Sequence, residues 1–174
     1  MQSKNEQKNI ISLFFSGLFV IECYDKAGRL KWRQTAKNGT TNQGLNYALD
    51  IIFGAEAKPS WYVGIIRDDN FSALAAGDTM ASHAGWEEGD EYDETTRQQI
   101  TFDAAGGQEI ANTTRCYFSI NATETMTGAF LTTNSTKNGA AGKLFCTALF
   151  DGGDEAVADG DILKVIYTVT AAAV

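Results

Sequence analysis

A chain of 174 residues, 44% of them hydrophobic and 11% aromatic, can build one globular core and is too apolar for a disordered segment. Its 14 Lys and Arg against 22 Asp and Glu leave a net charge of −8, which argues against a nucleic-acid partner, because phosphate backbones are gripped by clustered basic side chains. A single proline, no Ser/Pro-rich stretch and no internal repeat predict one domain over 10–174, preceded by a polar, flexible arm over 1–9.

Lys4 and Lys8 precede an apolar run from Ile10 to Ile21 that faintly mimics a signal peptide. No small-residue cleavage site follows it, and Glu22 stands before Cys23, where a lipoprotein signal needs a small side chain. The run is also shorter than the roughly 20 residues that span a bilayer, so no membrane partner is expected. Phe19, Ile21 and Cys23 alternate with Val20, Glu22 and Tyr24 and predict a first strand. Strand-like runs over 17–24 and 29–35 flank Asp25-Lys26-Ala27-Gly28, which predicts a hairpin.

An amphipathic helix is predicted over 42–53, capped by Thr41 or Asn42 and closed by Gly54. Leu45, Ala48, Leu49, Ile52 and Phe53 recur on one helical face, and that face is expected to be core, so that Leu49→Ala would cost about 2–5 kcal/mol. A strand follows over 60–67. The chain from Asp68 to Glu94 reads as loop, with Asp78 capping a short helical turn over about 78–84. Strands resume at about 97–103, 113–122, 124–133, 142–150 and 161–170, separated by Gly/Asn/Asp turn clusters. Cys116, Phe118 and Ile120 share one side of their strand, and Leu163, Val165, Tyr167 and Val169 share one side of the last. The expected fold is mainly β: a two-sheet antiparallel β-sandwich or jelly-roll-like domain with one amphipathic helix.

The candidate chemistry is thin. His83, the single histidine, adjoins Ser82, but adjacent residues on one turn do not face each other, and a triad draws its members from separated segments. Residues 87–94 hold six carboxylates, yet neither they nor the acidic turn 151–155 follow the ligand spacing of a calcium loop. A glycosidase pair would need a sugar-lined cleft, which Trp61, Trp86 and Tyr92 are too few to define. Glycine-rich Ala104-Ala105-Gly106-Gly107 lacks the Lys and helix of a phosphate loop. The four Asn-x-Thr sequons, at Asn38, Asn112, Asn121 and Asn134, read as turn chemistry. Three scattered cysteines, Cys23, Cys116 and Cys146, suit buried free thiols, with one disulfide plus a free thiol left open. No enzyme, cofactor or metal site is expected.

Three groups of phrases carry a family likeness. They are Gly17-Leu18-Phe19-Val20-Ile21-Glu22-Cys23-Tyr24 with Gly28-Arg29-Leu30-Lys31-Trp32, then Asn42-Gln43-Gly44-Leu45-Asn46 with Trp61-Tyr62-Val63-Gly64-Ile65-Ile66, and Asp78-Thr79-Met80-Ala81-Ser82-His83-Ala84-Gly85-Trp86 with Gly128-Ala129-Phe130-Leu131 and Ala158-Asp159-Gly160-Asp161. Over about residues 15–170 the chain resembles a family of small structural proteins of tailed bacteriophages, the capsid decoration or cement proteins. The resemblance implies a non-enzymatic virion component, made in the host cytoplasm, that binds the major capsid protein, itself, or both. A tail or head–tail junction position is the alternative. A carbohydrate-binding or adhesin-like sandwich, with Trp61, Trp86 or Trp32 stacking on sugar, is the second. The expected contact residues are Glu87, Glu88, Asp90 and Glu91, meeting basic groups on a neighbour, with Trp86 and Trp61 beside them.

Overall fold

The computed structural model describes residues 13–173. The expected arm over 1–9 lies outside the described residues. Two antiparallel sheets face each other. The first is built from β1 (Leu13–Tyr24), β2 (Leu30–Lys37), β7 (Glu109–Ala111), β8 (Cys116–Ser119) and β12 (Ile162–Ala173), in the order β2-β1-β12, with β7 and β8 both on the far edge of β12. The second runs β3 (Gly39–Thr40), β10 (Leu144–Leu149), β9 (Glu124–Thr132), β4 (Trp61–Arg67) and β5 (Glu87–Gly89), with β11 (Glu155–Val157) on β9 and β6 (Gln98–Ile100) on β4. The expected mainly-β sandwich with one helix is what the chain forms.

Period-2 alternation accounts for the first sheet. Phe19, Ile21 and Cys23 of β1 are fully buried, as are Leu163 and Val165 of β12, while their neighbours face out. β1 and β12 pair over their whole lengths, Leu13 opposite Ala173 and Tyr24 opposite Ile162. In the expected hairpin, Asp25 turns the chain by accepting the backbone N–H groups of Ala27 and Arg29 on its Oδ1, both at 2.9 Å.

The second sheet is covered on both faces. Ala129 and Leu131 of β9 and Val63 and Ile65 of β4 point into the sandwich. Phe130 and Ile66 point the other way, into a smaller core with Met80, Trp86 and Leu144. The segment 68–86 folds over that outer face, so β9 and β4 read as nearly continuous apolar runs rather than as alternation. A bulge between Leu144 and Cys146 lets Leu144 face the outer core while Cys146 faces the inner one.

Two expectations need correction. Residues 78–84 form no helical turn. Thr79 and Ser82 exchange backbone hydrogen bonds across a tight turn, and Asp78 caps nothing helical but instead accepts the Ala75 N–H and the Trp86 indole N–H, at 2.9 and 3.0 Å. The stretch 87–94 is not wholly loop either, because Glu87–Gly89 pairs with Ile65–Arg67 as β5. The short strands β3, β5, β7 and β11, of two or three residues each, were too brief for any periodicity to announce them.

The three cysteines are free and buried. Burial pushes the thiols of Cys23 and Cys146 up to about 12 and that of Cys116 up to about 11, so all three stay protonated.

Candidate functional site

The helix α1 (Asn42–Ile52) is where the predicted chain and the folded one part company. Its start is as expected: Thr41 is the N-cap, its hydroxyl accepting the Gly44 N–H at 2.9 Å. Gly54, at φ +79°, takes the left-handed conformation that ends the helix. The face is inverted. Leu45, Leu49, Ile52 and Phe53, expected as core, are 54%, 55%, 54% and 81% exposed.

The reason is a competing stripe. Gly44, Tyr47, Ala48 and Ile51 also recur at i, i+3, i+4 and i+7, and this smaller stripe faces the body. Gly44 rests against β10 so closely that a Cβ there would lie 2.1 Å from the Phe145 carbonyl oxygen. Polar bonds lock that seat: Thr41 donates its hydroxyl to the Leu144 carbonyl at 2.6 Å, and the Leu144 N–H donates to Gln43 Oε1 at 2.7 Å. Tyr47 then meets Trp61, which meets Phe145, both edge to face with centroids 6.2 and 5.1 Å apart. With the backbone of β10 occupying the helix's narrow side, the bulky stripe is left outward.

Beside the helix the two sheets gape. An apolar cleft of about 340 Å³ opens between Ala48, Ile51 and Ile52 on one wall and Phe15, Ile110 and Val169 of the first sheet on the other, with Trp61 and Phe145 between them. Phe15, at the lip, is 48% exposed. Together the outward stripe and the cleft make one end of the sandwich strongly apolar, more than scattered surface hydrophobics would.

The acidic stretch does the opposite of what was expected of it. Every one of its six carboxylates has a partner within the chain. Glu88 is buried and forms a bidentate pair with buried Arg97, at 2.8 and 2.7 Å. Arg97 also donates to the carbonyls of Asn134 and Gly139 and lies over the Phe130 ring, so the pair ties the 134–142 loop to β5. Arg67 bridges Glu87 and Glu91. The Arg67 guanidinium and the Asn70 amide hold the Glu87 carboxyl below its usual range. Asp90 accepts from Asn138, Asp93 from Asn121, and Glu94 from the Ser119 N–H and hydroxyl.

Of the six expected contact residues, only Trp61 lies at the apolar end. Trp86 is buried, stacked on His83 at 3.9 Å and packed on Phe130, and so presents no face to a sugar or a partner. Glu88 is equally inaccessible, because its charge is neutralised internally. Glu87, Asp90 and Glu91 are paired within the chain but remain partly exposed, the Glu87 side chain at 40%. Trp32 packs on Phe150 and donates its indole N–H to the Ala156 carbonyl. His83 donates its Nδ1–H to the Trp86 carbonyl at 3.0 Å rather than meeting Ser82. Among the described residues no group of three or more His, Cys, Asp or Glu is placed to hold a metal ion, and no helix is long and apolar enough to cross a membrane.

No protein-family model matches the chain, and no curated protein matches it in sequence.

Proposed function

We propose that the protein is a non-enzymatic structural component of a bacteriophage virion that docks on the capsid exterior through its apolar end. The observation that carries this reading is the exposed stripe Leu45, Leu49, Ile52 and Phe53 beside an open apolar cleft. Surfaces of this kind mark sites that another macromolecule covers. The resemblance of residues 15–170 to decoration proteins supplies the kind of partner, the major capsid protein. The exposed helix stripe, together with the internal pairing of the acidic stretch, supports a contact at the helix over one at residues 87–94.

Copy number in purified virions, measured by quantitative mass spectrometry, tests the reading. Hundreds of copies per particle, as a repeating shell requires, support decoration. About a dozen copies or fewer would move the protein to the tail axis, where symmetric rings are small. Absence from the particle would end the virion reading altogether.

A further inference from the structure

An open apolar cleft calls for an occupant, and the sequence of residues 1–12 supplies a candidate. β1 is still paired at Leu13, opposite Ala173, and Phe15, two residues on, lines the cleft. Residue 13 therefore stands two positions from a cleft-lining side chain. In sequence the segment upstream ends on Ile10 and Ile11, which continue into Leu13, Phe14 and Phe15 as a nearly unbroken apolar run.

The chain's own segment is the wrong filler. To lie along its own cleft it would have to reverse just before Leu13. The tightest hairpin, a two-residue turn at positions 11 and 12, would set Ile10 opposite Leu13, Lys8 opposite Phe15 and Glu6 opposite Gly17. Directly opposed residues share a face, so two charged side chains would point into an apolar cleft, and any longer turn would bring in residues still nearer the polar terminus. Continued as an extended chain, the same segment carries Ile10 about 10 Å past Leu13, and twelve extended residues reach at most about 40 Å, enough to span to another molecule.

Charge favours the same arrangement. The segment 1–12 holds two lysines against one glutamate, whereas the chain as a whole is at −8. The only charged residue of α1 is Asp50, and Glu56 follows it. Lys4 and Lys8, both N-terminal to Ile10 and Ile11, carry the opposite sign to Asp50 and Glu56.

We propose that residues 1–12 of one copy, led by Ile10 and Ile11, insert into the apolar cleft between α1 and the open end of the first sheet of a second copy. Exchanged reciprocally or around a ring, the contact closes and leaves no open cleft. This inference concerns self-association and does not rest on the virion reading.

Sedimentation velocity on the full-length chain and three variants tests it. The parent is expected to associate with rising concentration. Chain lacking 1–12 (cleft intact, segment gone), Ile52→Asp (segment intact, cleft spoiled) and the double variant Ile10→Asp/Ile11→Asp should each weaken association by about tenfold or more, since each removes the buried apolar contact. Ile52 is half exposed and positions 10 and 11 precede the described fold, so circular dichroism and melting should match the parent. If Ile52→Asp does not fold, the Ile10/Ile11 variant carries the same prediction. The discriminating step is mixing: the truncated chain and Ile52→Asp, each monomeric alone, should form a one-to-one complex, since one supplies the cleft and the other the segment. A parent that stays monomeric, a truncated chain that associates as well as the parent, or a mixture that forms no complex would each overturn the proposal.

Discussion

Strand β4 joins two regions that handle their polar and apolar groups in opposite ways. At its Arg67 end the chain is closed on itself: Arg67, Arg97, Glu87, Glu88 and Glu91 neutralise one another, and Lys137 donates to the Asp90 and Tyr92 carbonyls and sits over the Tyr92 ring. At its Trp61 end the chain is open, with four large apolar side chains of α1 facing outward and a cleft beside them. Charge looked like the interface and hydrophobicity looked like the core. In the fold the charges are consumed by partners in the chain, whereas the helix stripe stays exposed because no surface of the body is left to receive it.

The closed region should break hardest. Arg97→Ala strands Glu88 as a buried, uncompensated carboxylate and is expected to cost about 3–5 kcal/mol in urea unfolding. Replacing both partners, Arg97→Met with Glu88→Met, should recover most of that loss, since the penalty lies in the orphaned charge. If Arg97→Ala melts like the parent, the pair is not buried as described.

The thiols sharpen the contrast between core and surface. Cys23, Cys116 and Cys146 should resist a thiol reagent at mildly alkaline pH in the native state and react together on unfolding. Their raised values also set a sign for the pH dependence. The stability they contribute is fully present below the ordinary thiol value of 9.0 and is lost as pH rises toward about 11 and 12. A melting temperature that does not fall across that window would contradict their burial.

At the open region the expected stability effects are small. Leu49→Ala should cost less than about 1 kcal/mol, not the 2–5 expected of a core leucine, because no cavity forms at a site 55% exposed. A larger loss would return α1's outward stripe to the core. Smallest of all is Glu87→Gln. Because Arg67 and Asn70 hold the Glu87 carboxyl low, its contribution is present above 4.5 and lost as pH falls through its depressed value. The parent should lose slightly more stability than the variant on acidification, and added salt should erase the difference.

What the sequence made legible, and what it did not, follows from the range of the forces involved. The hairpin at Asp25, the ending at Gly54 and the alternation in β1 and β12 are set by neighbours in the chain and are legible in the sequence, as is the cap, which the sequence narrows to Thr41 or Asn42 and the fold assigns to Thr41. The orientation of α1 was not, because two apolar stripes share that helix. The choice between them is made by the fit of Gly44 against Phe145, about a hundred residues away in sequence. The internal pairing of the acidic stretch was illegible for the same reason. Nothing local says that Glu88 will meet Arg97 beneath the 134–142 loop, or that Trp86 will be covered by the 68–86 segment. A signal was present in hindsight: Arg67 and Arg97 are two of the few basic residues near the acidic run, and a lone arginine close to a carboxylate cluster is a natural internal partner.

The central claim is that the outward stripe of α1 is a working surface and not part of the core. The most direct measurement is on the triple variant Leu45→Asp/Leu49→Asp/Phe53→Asp, scored for melting temperature and for occupancy on purified capsids. We expect the melting temperature to stay near the parent's while occupancy is lost. A variant that fails to fold would show that the stripe is core, and one that folds and still occupies the capsid fully would show that the surface lies elsewhere.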